Sequence, residues 1–198
     1  FSTVVVVIIL VGITLLMLYP HKEALPTIDQ NMRSRLETFI IENYKTPEDY
    51  IVDKFKQHDI VFLGEYHRIK HDVELVQSLI PLLYKNGIYN LGLEFACYED
   101  QDKIDMLITA DKYDESLAYA IQFNQWPYWG YQEYIDIYKA VWEFNQRVPE
   151  DTRKFRVVGL NAKSDWSYVK TEEDRNDPEV MEKVFKDGAG DRFMADVI

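Results

Sequence analysis

A single cysteine, Cys97, stands in the 198 residues. That excludes an internal disulfide and any CxxC zinc or redox motif, and a lone cysteine reads as a small buried hydrophobe. Basic residues are scarce: 22 Lys and Arg against 34 Asp and Glu give a net charge of -12. Nucleic-acid binding depends on neutralising phosphate with Lys and Arg, so no nucleic-acid partner is expected. The same balance argues against a polybasic surface that holds anionic lipid. A neutral, cationic or metal-associated ligand suits this field better. GxSxG, P-loop and GxGxxG patterns are absent from the sequence, which argues against nucleophilic serine chemistry and nucleotide binding. No internal repeat or low-complexity segment occurs either. What is present, 47% hydrophobic and 28% charged residues, is the composition of a globular chain. Its length suits one domain plus extras, enough to bury a core without metal or disulfide staples.

One long hydrophobic run stands at the start. From Val4 to Leu18 every residue is apolar except Thr14, with Gly12 tolerated. A bilayer core takes about 20 such residues, reached here by counting Phe1 and Tyr19 or by sequence further upstream. No small-x-small cleavage site and no lipobox cysteine follow Leu18. An all-round apolar, β-branched terminal run is rarely a soluble core helix. Residues 1–19 are therefore expected to be a single-pass membrane anchor, with the globular part on the extracytoplasmic side. Residues 20–45 read as a juxtamembrane linker and helix, and residues 46–198 as an α/β domain.

Within 20–45, Asp29 is a possible cap for a helix carrying Met32, Leu36, Phe39 and Ile40 on one face. Thr46-Pro47-Glu48-Asp49 gives a second start: cap, Pro at the first helical position, acids in the first turn. Ile60 to Leu63 is a short apolar run that suits a strand buried on both faces. Asp72 to Lys85 is helical in period, with Pro81 inside as a kink or break and Asn86-Gly87 as its end. Ile88 to Leu93 reads as the next strand, completing a βαβ unit. Helices are expected over 101–109, 115–123 and 131–146, a third strand over 155–160, and further helices from Pro178 and from Asp191. The expected architecture is a mainly parallel sheet flanked by helices. Three strands are few for a domain of this length, so further C-terminal sequence is expected to complete the sheet.

The three expected strands end near Glu65, Glu94 and Asn161. In open α/β sheets ligands bind outside the carboxyl ends of the strands, which would bring these residues to one crevice. His67 and His71 follow Glu65 and share a face if the loop has already turned helical. Two His and two Glu suit a divalent metal, with His67, His71 and Glu65 as ligands. They equally suit a general base, His67, whose tautomer a carboxylate fixes. The plainer reading is that these polar residues cap the next helix and pair on the surface. Trp126, Tyr128, Trp129 and Tyr131 cluster around Pro127, either as core or as a loop lining the crevice. Tyr66, Trp126, Trp129 and Asn161 are the candidate substrate-contacting residues.

Leu63-Gly64-Glu65-Tyr66-His67, followed by His71, resembles the GExH signature of the Tiki, ChaN-like and erythromycin-esterase-like superfamily. Gly92-Leu93-Glu94 resembles its second-strand motif. Trp129 with the helix to Asn145, then Val158-Gly159-Leu160-Asn161, resembles its middle section. Asp191-Arg192-Phe193-Met194-Ala195 is similar to its RDxxMA segment with Arg and Asp exchanged. The resemblance spans about Asp59 to Ile198 and implies an α/β fold with a Glu/His site at strand ends. It implies one of three activities: ester hydrolysis by His-activated water, metal-dependent membrane-tethered proteolysis, or haem binding. Carried across, Glu65, His67 and Glu94 form the core site, with His71 and Arg192 as further members. Arg192 would steady developing negative charge. The resemblance also implies a histidine near a later strand end. Two functions stand as expectations: a membrane-tethered hydrolase acting on a small-molecule or peptide substrate, with or without a divalent metal, and a haem- or iron-binding module without turnover. In the second, His67, His71 or Tyr66 would ligate iron.

Overall fold

The computed structural model describes residues 28–125, 130–185 and 190–198. The chain divides between Tyr44 and Lys45 into two compact units. The expected anchor over residues 1–19 lies outside the described residues. Among those described, no helix is long and apolar enough to cross a membrane.

In the N-terminal unit, helix α1 runs from Gln30 to Asn43, and the Asp29 carboxylate accepts from the Met32 N–H. A short oxygen-bearing side chain at this position satisfies an N–H the helix itself cannot. No residue of α1 is buried.

The larger unit opens with α2 (Pro47–Lys54), capped by Thr46 accepting from the Asp49 N–H. Helix α3 (Lys70–Lys85) follows and runs unbroken through Pro81. Its buried residues Val73, Leu79, Ile80 and Leu83 lie on one face, packed toward α6, and this burial outweighs the one backbone bond that proline removes. Gly87, at φ +82°, takes the left-handed turn that ends the helix.

Strand β1 (Asn90–Cys97) pairs in parallel with β2 (Arg156–Asn161). Between them the chain crosses over through α4 (Gln101–Thr109), α5 (Glu115–Gln125) and α6 (Gln132–Asn145). The register runs evenly from Asn90↔Arg156 to Leu93↔Gly159, then slips so that Cys97 faces Asn161. Four steps on β1 thus match two on β2, a bulge centred on Glu94 to Ala96. Gly159 is required there, because a Cβ would sit 2.3 Å from the Cys97 carbonyl oxygen. Helix α7 (Pro178–Val184) has the Asp177 carboxylate accepting from the Glu179 N–H, and α8 (Asp191–Val197) packs on β2.

The core gathers α3, α4, α5 and α6 around the two strands: Leu79, Ile80, Leu93, Ile104, Leu107, Ile121, Ile135, Tyr138, Val141, Phe155 and Val157 are buried. Asn145 is a buried polar side chain beside this core. Its amide donates to the carbonyls of Ile108 (3.1 Å) and Phe155 (2.9 Å), and its Oδ1 accepts from the Phe155 N–H (2.8 Å). One side chain thereby ties the ends of α4 and α6 to the start of β2.

The expected strand over Ile60–Leu63 does not form. That stretch carries no regular structure, and among the described residues the sheet has two strands, β1 and β2. A strand is defined by the neighbour that accepts its backbone bonds, and hydrophobicity alone does not supply one. Ile60, Phe62 and Leu63 are left exposed. The first βαβ unit is therefore replaced by a single parallel pair with a three-helix crossover.

Candidate functional site

Ahead of α3 the chain makes a turn at Tyr66–Ile69, closed by the Ile69 N–H donating to the Tyr66 carbonyl (3.1 Å). The Asp72 carboxylate, in the first turn of α3, accepts from the Tyr66 N–H (3.0 Å). Arg68 holds φ +70°, a left-handed conformation that costs a non-glycine residue about 1 kcal/mol or more. Two contacts, from α6 and from the residue that precedes it, hold it there. The Arg68 N–H donates to the Tyr134 hydroxyl at 3.4 Å, and its guanidinium lies 6.0 Å from the centre of the Tyr131 ring, at the outer range of a cation–π contact.

The strained turn carries the closest carboxylate–imidazole pair in the unit. Glu65 Oε1 lies 2.7 Å from His67 Nδ1. The Tyr134 hydroxyl donates to both Glu65 oxygens, at 3.0 and 3.1 Å. Tyr134 is buried, and its ring meets Phe95 of the β1 bulge edge-on at 4.4 Å. Burial first, and then the Glu65 carboxylate, push the Tyr134 phenol up to about 12, so it stays a donor across the physiological range. The chain of support runs from the sheet through Phe95 to Tyr134, to Glu65 and on to His67. His67 is more than half exposed, whereas Glu65 is mostly covered. A neutral His67 that donates from Nδ1 to Glu65 carries its lone pair on Nε2. Such a carboxylate fixes the tautomer and the orientation of the ring. The arrangement suits proton abstraction and ligation of a metal-bearing group equally.

Of the residues read from sequence as the site, the structure joins Glu65 and His67. His71 is separated from them. The helix begins only at Lys70, so the two histidines do not share a helical face, and His71 Nδ1 lies 3.1 Å from Glu74. Among the described residues, no group of three or more His, Cys, Asp or Glu side chains could hold a metal ion. Glu94 does not end its strand as expected, because β1 continues to Cys97; it is exposed within the bulge, one residue before Phe95. Asn161 ends β2 opposite Cys97, and Arg192 is exposed on α8. Tyr66 is exposed beside His67. Trp126 and Trp129 lie outside the described residues.

Two features were not legible from sequence. Tyr134 sits 69 residues from Glu65, and only the docking of α6 on α3 brings them together. That docking is reinforced by Gln77 donating to the Glu133 carbonyl (3.1 Å) and by Lys70 near Glu133 (3.9 Å). The second is Asp100, a buried carboxylate just beyond β1. It accepts from Lys103 (2.5 Å) and from the Asn124 amide. A buried charge survives only when paired in this way. Next to it the buried Cys97 thiol is pushed up to about 12, by burial first and then by Asp100, which makes it a poor nucleophile.

Fold and site together define a small parallel α/β domain with a tyrosine-buttressed Glu/His pair on the turn before its first long helix. The family described as haem-binding uptake, Tiki superfamily, ChaN, matches residues 51–183, and the chain belongs to it. No curated protein and no solved structure matches the chain.

Proposed function

We propose that this domain binds haem on the face around the Glu65–His67 turn, with His67 Nε2 or the Tyr66 phenol as the group that would hold the iron. The observation that carries this reading is an exposed imidazole oriented by a buttressed carboxylate and set in an exposed apolar surface. Phe62, at 82% exposed, stands there with Ile60, Leu63, Tyr66 and Ile69. An apolar patch of that kind beside a side chain able to ligate iron would suit a flat, hydrophobic macrocycle. Arg68, on the same turn, suits the carboxylates such a macrocycle carries. The family membership favours the same ligand. When bound, the iron porphyrin would supply the redox or ligand-exchange chemistry; the protein's part is to present and orient the donor atom. The N-terminal apolar run Val4–Leu18 would tether this module to a membrane, with the domain on the extracytoplasmic side. A titration of the full chain with haem, followed in the Soret region, tests the reading. A saturable one-to-one shift supports it, and the spectrum of free haem throughout overturns it.

A second reading is favoured by one specific contact, the 2.7 Å approach of Glu65 to His67 Nδ1. It is the geometry of a general base that activates water for hydrolysis of an ester or peptide, with Glu94 and Arg192 as further candidates in that reaction. Hydrolytic turnover that vanishes in His67→Ala, with no Soret change on adding haem, would put this reading first.

A further inference from the structure

Among the described residues, helix α1 carries an apolar face that is exposed along its length. Its Met32, Leu36, Phe39 and Ile40 are all exposed, and no residue of the helix is buried. On a helical projection these four share one arc of about 100°, with Asn43 among them. Ile41 stands apart. The opposite side carries Gln30, Asn31, Ser34, Arg35, Thr38 and Glu42.

Chain continuity says what can cover the apolar face. The run Val4–Leu18 ends twelve residues before Gln30, a stretch that spans at most about 40 Å even fully extended. With that run in a bilayer, as proposed above, α1 is held within reach of the membrane surface. Its length, about 20 Å, and its single apolar arc suit lying in the interfacial plane. Charge selects the lipid. Arg33 and Arg35 are offset by Glu37 and Glu42, and Arg33 is already paired with Glu37 at 2.9 Å. The chain as a whole is strongly acidic. Such a helix gains nothing from anionic headgroups, and its attachment comes from apolar burial alone.

We propose that α1 lies in the membrane interface as an amphipathic helix, with Leu36 and Phe39 toward the acyl chains and Ser34 toward water, and that it needs no anionic lipid. The proposal rests on the membrane tether proposed above, and the experiment separates the two. The full chain is reconstituted in phosphatidylcholine vesicles, floated, and spin-labelled at Leu36→Cys in one sample and Ser34→Cys in another. The native Cys97 is buried and stays unlabelled, which the parent chain checks. The expected result is flotation, with the Leu36 label several-fold more accessible to oxygen than to a water-soluble nickel chelate. The Ser34 label should show the reverse, and added phosphatidylserine should change neither. Flotation with both labels open to the nickel chelate overturns the interfacial helix and leaves the tether standing. A Leu36 label closed to both relaxants and broadened by a second label shows that another copy covers the face, which also overturns it. Failure to float removes the tether and the proposal together.

Discussion

Replacing Tyr134 by Phe removes one oxygen atom and leaves the ring that packs on Phe95 at 4.4 Å. The lost hydroxyl donates to both oxygens of Glu65 and accepts from the Arg68 N–H. A hydrogen bond to a charged acceptor contributes about 1.5–3 kcal/mol. Glu65 keeps about a quarter of its exposure, so water recovers part of that loss. The expected cost to folding is about 1–2 kcal/mol, read as a lower urea midpoint at unchanged slope. The larger effect falls on the site. Without its donor, Glu65 is free to leave His67, and loss of such an outer partner weakens a ligating imidazole about 10- to 100-fold. The assay is a paired measurement on wild type and Tyr134→Phe: urea unfolding, and affinity for haem. Equal affinities, or a stability loss above about 4 kcal/mol, would refute the chain of support from sheet to imidazole. The second outcome would make Tyr134 a core residue whose contact with Glu65 is incidental.

Other outcomes follow from the same geometry. Asn145→Ala strands the buried Phe155 N–H and two carbonyls, and at about 1–3 kcal/mol per unpaired group is expected to destabilise by about 3 kcal/mol or more; a loss under 1 kcal/mol in denaturant unfolding would contradict that role. Gly159→Ala drives a Cβ into the Cys97 carbonyl and should cost about 3 kcal/mol, whereas Gly87→Ala meets open space and costs only its positive φ, about 1 kcal/mol. Cys97 should resist a thiol reagent at pH 8 in the folded protein and react at once in denaturant. Because its folded pKa is raised, to about 12, the stability linked to its neutral form is complete below the unfolded value near 8.5. That stability falls as pH rises from there through 12. Tyr134 follows the same sign over a higher window, from about 10 to 12. A spectroscopic tyrosine titration that is complete by pH 10.5 would contradict its burial.

Much of the helical framework was legible because helix ends are local events. Asp29, Thr46-Pro47 and Asp177-Pro178 each announced a cap within four residues, and each cap forms. The span of α4 and the ends of β2 were readable to within a residue from period and flanking turn signals. Ile60–Leu63 misled because an apolar run says that burial is wanted but not which neighbour supplies backbone partners. The slip in register that leaves Glu94 mid-strand depends on Gly159 meeting Cys97 across the sheet, a contact 62 positions apart in sequence and invisible to any window. For the candidate site, Glu65 and His67 stand two residues apart, so their pairing was legible from the sequence. His71 was grouped with them on a helical spacing that begins three residues too late. Tyr134 and Asp100 were missed because each is defined by a partner or by burial that the tertiary fold alone creates.

Haem titration of the full chain beside its His67→Ala and Tyr66→Phe variants, at matched stability, tests the proposed function most directly. A one-to-one Soret transition in wild type, weakened at least tenfold in one of the two variants, is the expected result. Affinity unchanged in both variants, or no saturable transition in wild type, would contradict the assignment of this turn as the haem-binding face.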